Sequence, residues 1–333
     1  MKMWIVIAAL FCLAAVPAFA DVSHEVVVGW EGDKTSDVES STGVDLNGKL
    51  ETTNSLFIVQ YTHFFAPLKD DNKPIELRRF YQHPSTLSAG LAFFGSTDKD
   101  STVPAAVSDG KGSAGMLLLG GEYFFPTNTG LFLNIGAGSG TFEETIGGIA
   151  QPDVDIKLSR FDLGVRQYIA SNNVELRLRL HGESTEATQS GFKETIDKSV
   201  AFLGARWVIA DMVGLMLELG GGEKSDESGG ITIKYDITAV NAEVSGYIGK
   251  QLSIRFGIEA EEEKMKGAPA GVEHTITTAR TTLAAKYWFS ERLGLELPLY
   301  AESIEQKTVT AGFGESKDTI TNGGIGLYAA FRF

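Results

Sequence analysis

Five histidines, His24, His63, His83, His181 and His274, are the side chains best suited to move protons near neutral pH. Only His181 has a carboxylate and a hydroxyl close by, in His181-Gly182-Glu183-Ser184, the set a hydrolase would bring together. On a strand His181 and Glu183 share one face while Ser184 points to the other, so the trio does not converge and catalysis is not expected. The acidic run from Glu259 to Glu263 likewise alternates between faces, and reads as a solvated strand end rather than a calcium cage. The single cysteine, Cys12, lies in an N-terminal apolar run, which leaves no Cys-based zinc site, no c-type haem and no expected cofactor.

Recognition without covalent chemistry remains. Arg160, Arg166, Arg177, Arg179 and Arg206 share a stretch with Asp162 and Glu175, while Glu218, Glu243, Glu259 and Glu261, with Arg255, follow. Arg280, Lys286, Glu296 and Arg332 come last. If these line a wet interior, a basic wall facing an acidic wall creates a transverse field that orients passing solutes. The plainer alternative is a lumen laced with cross-strand ion pairs, closed or nearly so.

Strands must position these charges. Val174, Leu176, Leu178 and Leu180 alternate with Glu175, Arg177, Arg179 and His181; Val213, Leu215, Leu217 and Leu219 alternate with Met212, Gly214, Met216 and Glu218. Leu252, Ile254, Phe256 and Ile258 are interleaved with Ser253, Arg255, Gly257 and Glu259, and Leu293, Leu295, Leu297 and Leu299 with Gly294, Glu296, Pro298 and Tyr300. One wholly apolar face opposed to a charged and glycine-rich face fits lipid on one side and water on the other.

The rhythm repeats over 23–33, 51–65, 85–96, 114–125, 130–144, 152–170, 173–186, 193–209, 212–223, 231–249, 251–263, 273–289, 292–307 and 318–333. Short connections (Pro126 to Thr129, Ser171-Asn172, Ala210-Asp211, Lys250, Ser290-Glu291) alternate with longer polar loops. Residues 66–84 break the rule, being too long and too charged for a tight turn, and are expected to carry a short helix. Aromatics recur where strands run down to the short turns: Tyr123, Phe124, Phe125, Tyr168, Trp207, Tyr247, Tyr287, Trp288, Phe289, Phe331 and Phe333. They read as an interfacial girdle.

The last residues, Ile325-Gly326-Leu327-Tyr328-Ala329-Ala330-Phe331-Arg332-Phe333, alternate in the same way and end on an aromatic residue. This segment resembles the C-terminal strand of bacterial outer-membrane β-barrel proteins, and the resemblance implies that Phe331 and Phe333 form an assembly signal read by the barrel-assembly machinery. Lys2, the apolar run from Trp4 to Val16, Pro17 and Ala18-Phe19-Ala20 read as a secretory signal peptide over residues 1–20, leaving 21–333 as the barrel. Mean hydropathy is −0.01, and no apolar stretch of about eighteen residues follows the signal. The net charge of −14 offers no basic surface for nucleic acid.

The expected fold is an all-β, antiparallel up-and-down transmembrane barrel of about fourteen strands in the outer membrane, with lipid and small polar solutes as partners. The expected function is a porin-like diffusion channel, since that many strands leave a bore wider than an eight-stranded barrel can fill. An adhesin, a structural barrel with a closed lumen and a lipid-modifying hydrolase are the alternatives. A long-chain fatty-acid transporter also fits the strand number, but that family resemblance implies a plug ahead of the first strand, and His24 to Trp30 begins too early to leave room for one.

Overall fold

The alternation becomes a closed cylinder in a computed structural model, which describes residues 22–40, 50–100, 108–267, 272–310 and 314–333. The strands are β1 (Val22–Ser40), β2 (Leu50–Leu68), β3 (Thr86–Asp100), β4 (Ser108–Phe124), β5 (Thr129–Ile146), β6 (Ile149–Ala150), β7 (Val154–Ile169) and β8 (Val174–Gln189). β9 (Phe192–Ile209), β10 (Val213–Ser228), β11 (Ile231–Ile248), β12 (Leu252–Met265), β13 (Val272–Trp288), β14 (Leu293–Thr310) and β15 (Gly314–Arg332) complete the ring. Each long strand pairs antiparallel with its neighbours in sequence, β6 is a two-residue spur on β5, and β1 pairs with β15 to close the sheet. The result is the fourteen-stranded barrel expected from the periodicity. The signal peptide assigned to residues 1–20, and Cys12 with it, lies outside the described residues.

Closure is fixed chemically as well as by backbone pairing. The amides of Ser23 and His24 donate to the carbonyl of Phe333, and Phe333 N donates back to His24 O. One register step inward Glu25 opposes Arg332, whose Nε lies 2.6 Å from the carboxylate, both side chains being buried.

The outer face is apolar. Leu178 is 57% exposed, Leu203 68% and Leu327 51%, and Leu117, Leu133, Leu163, Leu219, Phe256 and Leu299 share that face. Such a surface in water would be a large contiguous apolar patch; against hydrocarbon it is a matched solvent boundary. Leu176, Ile254 and Leu295 are also outward and exposed, so none of them forms an internal core.

Most strands run further beyond the apolar band than hydropathy alone indicates: β4 begins at Ser108, and β10 continues to Ser228. Away from lipid both faces turn polar, which erases the alternation without weakening the backbone ladder. The expected loop 224–230 therefore shrinks to Gly229-Gly230, with φ of 59° and 82°, and the turn after β5 is Gly147-Gly148, with φ of 58° and 81°. Successive positive φ values are what a two-residue hairpin twisted with its strands requires. The connections at Ser171-Asn172, Ala210-Asp211 and Ser290-Glu291, and the end of the seam where Ser23 and His24 meet Phe333, lie at the opposite end of the cylinder, the turn end.

The lipid boundary makes one substitution diagnostic. Leu178→Arg should lower the unfolding free energy in phospholipid bilayers by about 2–4 kcal/mol, as for a cation on a barrel's lipid face. Urea titration of the folded fraction by gel mobility measures it; a change near zero would place Leu178 outside hydrocarbon.

Candidate functional site

The connection between β2 and β3 is where the cylinder departs from a simple barrel. Backbone pairing ends with Phe64 opposite Thr86 and with Phe65 N donating to Ser85 O at 3.0 Å. Gln82 then closes the neck, its amide receiving Lys69 N (2.8 Å) and donating to Lys69 O (2.7 Å) as a strand residue would. Beyond the neck, Pro74 starts a 3-10 turn (Ile75–Leu77) that runs into a helix of Arg78–Gln82, stopped by His83 in the left-handed region at φ 46°.

This segment lies across the turn-end mouth. Leu77 and Phe80 pack on Tyr168, Val208 and Tyr247 from β7, β9 and β11, while Ile75 packs on Trp288 and Ala330 from β13 and β15. Polar anchors reach further round the circumference: Arg79 lies 3.6 Å from Glu25 of β1, and Lys73 lies 2.6 Å from Asp211 in the β9–β10 turn, which also accepts from Tyr81. Arg78, 2% exposed, bridges Asp70 (2.9 Å) and Glu291 (3.0 Å). Glu76 accepts from Lys286 Nζ (3.1 Å) and from Trp288 Nε1 (3.0 Å), and Arg332 Nη1 donates to Ile75 O. Residues 69–85 are therefore a plug seated on lumen-facing side chains from nearly every sector of the ring.

The plug divides the aromatic girdle. Tyr123, Phe125, Trp207, Tyr287 and Phe289 face outward and are exposed, as a girdle requires. Tyr168, Tyr247 and Trp288 are buried against the plug, and Phe124 stands 5.0 Å from His83. Aromatics recur at one level because that level serves both an interface and a socket, on alternate residues. Phe331 follows the outward phase of Leu327 and Ala329, and the ring of Phe333 stacks on His24 at 5.3 Å.

Every lining residue expected from the sequence falls on the face opposite the apolar one, but the basic and acidic walls do not stand apart. Arg166 contacts Glu122 (2.6 Å) and Glu175 (3.7 Å), and Arg177 contacts Glu175 (2.9 Å) and Glu218 (3.4 Å). Arg179 reaches Glu218 (3.6 Å) and Asp162 (3.7 Å). Glu218, assigned by its strand to the acidic wall, is 3% exposed beneath two arginines of the basic one. Arg255 holds Glu296 (2.6 Å) and Glu243 (3.7 Å), and Arg280 approaches Glu31 (3.9 Å). Arg332 faces inward yet is buried in the seam, so it is part of the plug's seat and not of an open bore.

The transverse field expected from the sequence is thus largely quenched by cross-strand pairing. His181 sits between Asp162 (3.8 Å) and Glu183 (3.7 Å) in the same network. Among the described residues no cluster of three or more metal-ligating side chains occurs.

Space remains inside this network. A cavity of about 420 Å³ is bounded by Glu31, Glu243, Arg255, Glu259, Arg280 and Glu296. Below it a pocket of about 50 Å³, sharing Glu243, Arg255 and Glu296, reaches down to Glu76 and Arg206. The opposite wall is different in kind. Lumen-facing positions of β2 to β5 carry Leu56, Ile58, Ala92, Phe94, Met116, Leu118 and Phe132, so an apolar sector faces an ionic one. Sequence reasoning missed this sector because it attended to charges; the signal was the failure of β2 and β4 to alternate.

Solved structures resemble the fold at low identity. The Pseudomonas putida toluene transporter TodX matches 97% of this chain and 93% of its own with 10% identity and a TM-score of 0.55. A TodX deltaS2S3 mutant, a monoaromatic hydrocarbon channel, matches 97% and 94% with 11% identity and a TM-score of 0.60. A Pseudomonas aeruginosa FadL homologue matches 94% and 90% with 10% identity and a TM-score of 0.52. No protein-family model matches the sequence, and neither does any curated protein. These likenesses establish the fold as that of bacterial outer-membrane β-barrels.

Titration of the plug follows from its surroundings. Burial lowers the His83 imidazole below 6.5, with Arg166 acting the same way and Glu175 opposing; its other neighbours are the rings of Tyr168, Phe124 and Phe80. A base depressed in the docked state binds its proton more readily once released, so docking weakens as pH falls through 6.5. Burial raises Glu76, but Lys286 and Arg332, with hydrogen bonds from Trp288 and Lys286, outweigh it and bring it down to about 2. Burial likewise raises Asp211, and its bonds from Lys73 and Tyr81 outweigh that to leave it below 3.8. Depressed carboxylates stabilise docking above about pH 4.5 and lose that contribution as pH drops towards 2.

Docking should therefore loosen in two acid steps. Thiol labelling of Leu77→Cys, normalised to an exposed cysteine at Ser190, should rise below pH 6.5 and again below about pH 4. His83→Asn should remove only the first step. A flat profile from pH 7 to 3 would mean that the plug is not held by these groups.

Proposed function

We propose that the protein is an outer-membrane channel for small solutes whose turn-end mouth is controlled by residues 69–85. The observation that carries this reading is a cylinder with an apolar exterior, a charged interior and a cavity of about 420 Å³ directly above a separable plug. An adhesin or purely structural barrel needs no such internal space. TodX is described as a toluene transporter and as a monoaromatic hydrocarbon channel, which supports transport as the use of this fold without fixing the cargo.

The ionic lining supports small polar solutes, the cargo expected from the sequence. Arg160, Arg166, Arg177, Arg179, Arg206, Glu218, Glu243, Arg255, Glu259, Arg280 and Glu296 provide groups that replace water around a polar solute. The apolar sector on β2 to β5 supports a second reading, in which a ring or short alkyl group passes along Leu56, Phe94, Met116 and Leu118. A solute carrying both an apolar body and a polar group uses the two walls together. Location in the outer membrane follows from the exposed leucine face and the barrel's likeness to outer-membrane proteins; assembly through Phe331 and Phe333 belongs to the same proposal.

The plug makes the function testable. Deleting residues 70–83 leaves the Phe64–Thr86 and Phe65–Ser85 pairing intact and should convert a mostly closed barrel in planar bilayers into one showing steady ohmic steps. Its open fraction should rise roughly tenfold or more, the shift produced by removing about 1.4 kcal/mol of docking energy. A correctly folded deletion variant that stays silent would overturn the channel reading.

A further inference from the structure

The outer wall departs from a uniform lipid face along β7 to β11. Leu163 of β7, Leu180 of β8, Ala201 of β9 and Gly221 of β10 share one row of the ladder, and beyond it the outward positions turn polar together. The next row is Phe161, Gly182, Ser199 and Glu223, and the one after it holds Ser184, Asp197, Ser225 and Lys234. A groove of about 350 Å³ runs between these two rows on the outside of the barrel. Its level is that of a lipid head group. From the exposed girdle residue Trp207 to Asp197 is about ten residues of β9, which at about 3.3 Å each and a tilt near 40° rise about 25 Å, the height of a barrel's apolar band.

The groove offers hydrogen bonds without a surplus of positive charge. Among the described residues the hydroxyls of Ser184, Ser199 and Ser225 and the carboxylate of Asp197 have no protein hydrogen-bond partner. Glu223 shares Lys266 with Asp236, at 2.8 and 2.7 Å, and also feels the charge of Lys234. Lys234 and Lys266 thus stand among Asp197, Glu223 and Asp236, and an anionic head group is not what the groove asks for. At one end the Phe161 ring, 39% exposed, leans across β8, because Gly182 has no Cβ to hold it off. Donors and acceptors beside an exposed ring suit a sugar, which carries hydroxyls on its rim and C–H groups on its faces. A volume of about 350 Å³ is at the small end of ligand sites and has room for one such head group.

We infer that this groove seats the sugar head group of a membrane glycolipid in the leaflet at the end away from the short turns, the outward-facing end in bacterial barrels. The sugar lies between the two polar rows, its hydroxyls bonded to Ser184, Ser199, Ser225 and Asp197 and one face against Phe161. Its acyl chains then run down the wall over Leu163, Leu180 and Leu178, all exposed on the same side. Hydrocarbon begins one row below the groove, so bonds made there are shielded from water on that side and gain strength accordingly. The inference rests on the barrel's place in the membrane and is independent of the channel reading; no covalent step is involved.

The test uses the full-length barrel in a polyoxyethylene detergent, which carries no sugar, titrated by native mass spectrometry. The probes are monoglucosyl diacylglycerol, phosphatidylglycerol with the same acyl chains, and free glucose. The sugar lipid should be retained about tenfold more tightly than the phospholipid, the difference made by one or two hydrogen bonds. Ser199→Leu combined with Ser225→Leu fills the groove with side chains that lipid tolerates and should erase the preference. Phe161→Ala should reduce it several-fold, and Lys234→Gln should leave it nearly intact. Equal retention of the two lipids by the unaltered barrel, or a preference that survives both leucines, overturns the inference. So does a preference for phosphatidylglycerol that disappears in Lys234→Gln, which would make the groove a phosphate site, or a glucose adduct as tight as the glycolipid's, which would make it a site for soluble sugar. Should the double-leucine variant not fold, Phe161→Ala decides, and an undiminished preference there counts against the sugar seat.

Discussion

Hydrocarbon offers no hydrogen bonds, so a sheet within it must satisfy every backbone group on its own, and only closure removes the last unpaired edge. The pairing of β1 with β15 is consequently the contact on which the rest depends. Its register puts Glu25 opposite Arg332 on the lumen face, where the pair is out of lipid and shielded from water. A buried pair gains little over an apolar isostere, but loss of either partner leaves a charge uncompensated. The seam's pair thus acts against slippage, since a one-residue shift of either strand would send its charge to the apolar side and leave the partner uncompensated.

Closing fourteen strands creates a bore that the strands' own side chains do not fill. Two devices occupy it. Along β7 to β15, arginines and carboxylates reach across strands and neutralise one another, and Arg179 and Arg280 also stack on the lumen-facing rings of Phe202 (4.4 Å) and Tyr300 (3.9 Å). Gly220 leaves room for the Phe202 ring, where any larger residue would displace it. At the turn end the plug takes over, and its polar anchors fall on turns and strand ends.

The cylinder was legible in the sequence because a period of two leaves the same mark in every strand: Leu176, Leu178 and Leu180 outside, Arg177 and Arg179 inside. Tight turns at Ala210-Asp211 and Ser290-Glu291 were equally plain. The plug was visible only as a connection of the wrong length, because nothing local in residues 69–85 says whether a charged segment points into water or back into a cylinder. Its partners, Tyr168, Val208, Tyr247 and Trp288, come from four strands far away in sequence, and their shared purpose exists only after closure. Charge pairing was hidden for the same reason: Arg177 and Glu218 are 41 residues apart, and sorting charges by strand separated two groups that touch.

The same arrangement explains how one molecule can combine a rigid wall with a movable part. Each wall strand is held by ladders on both sides, so no local change opens it without breaking many backbone bonds together. The plug shares none of those ladders. It hangs from the neck at Phe65–Ser85 and Lys69–Gln82, and beyond the neck, among the described residues, its contacts with the wall are made by side chains, apart from Ile75 N on Lys250 O and Arg332 on Ile75 O. Side-chain contacts exchange with solutes and protons one at a time, whereas a β-ladder yields only cooperatively. Stability and responsiveness therefore reside in different kinds of bond, and the two meet where Arg206 of the wall lies against the Phe80 ring of the plug.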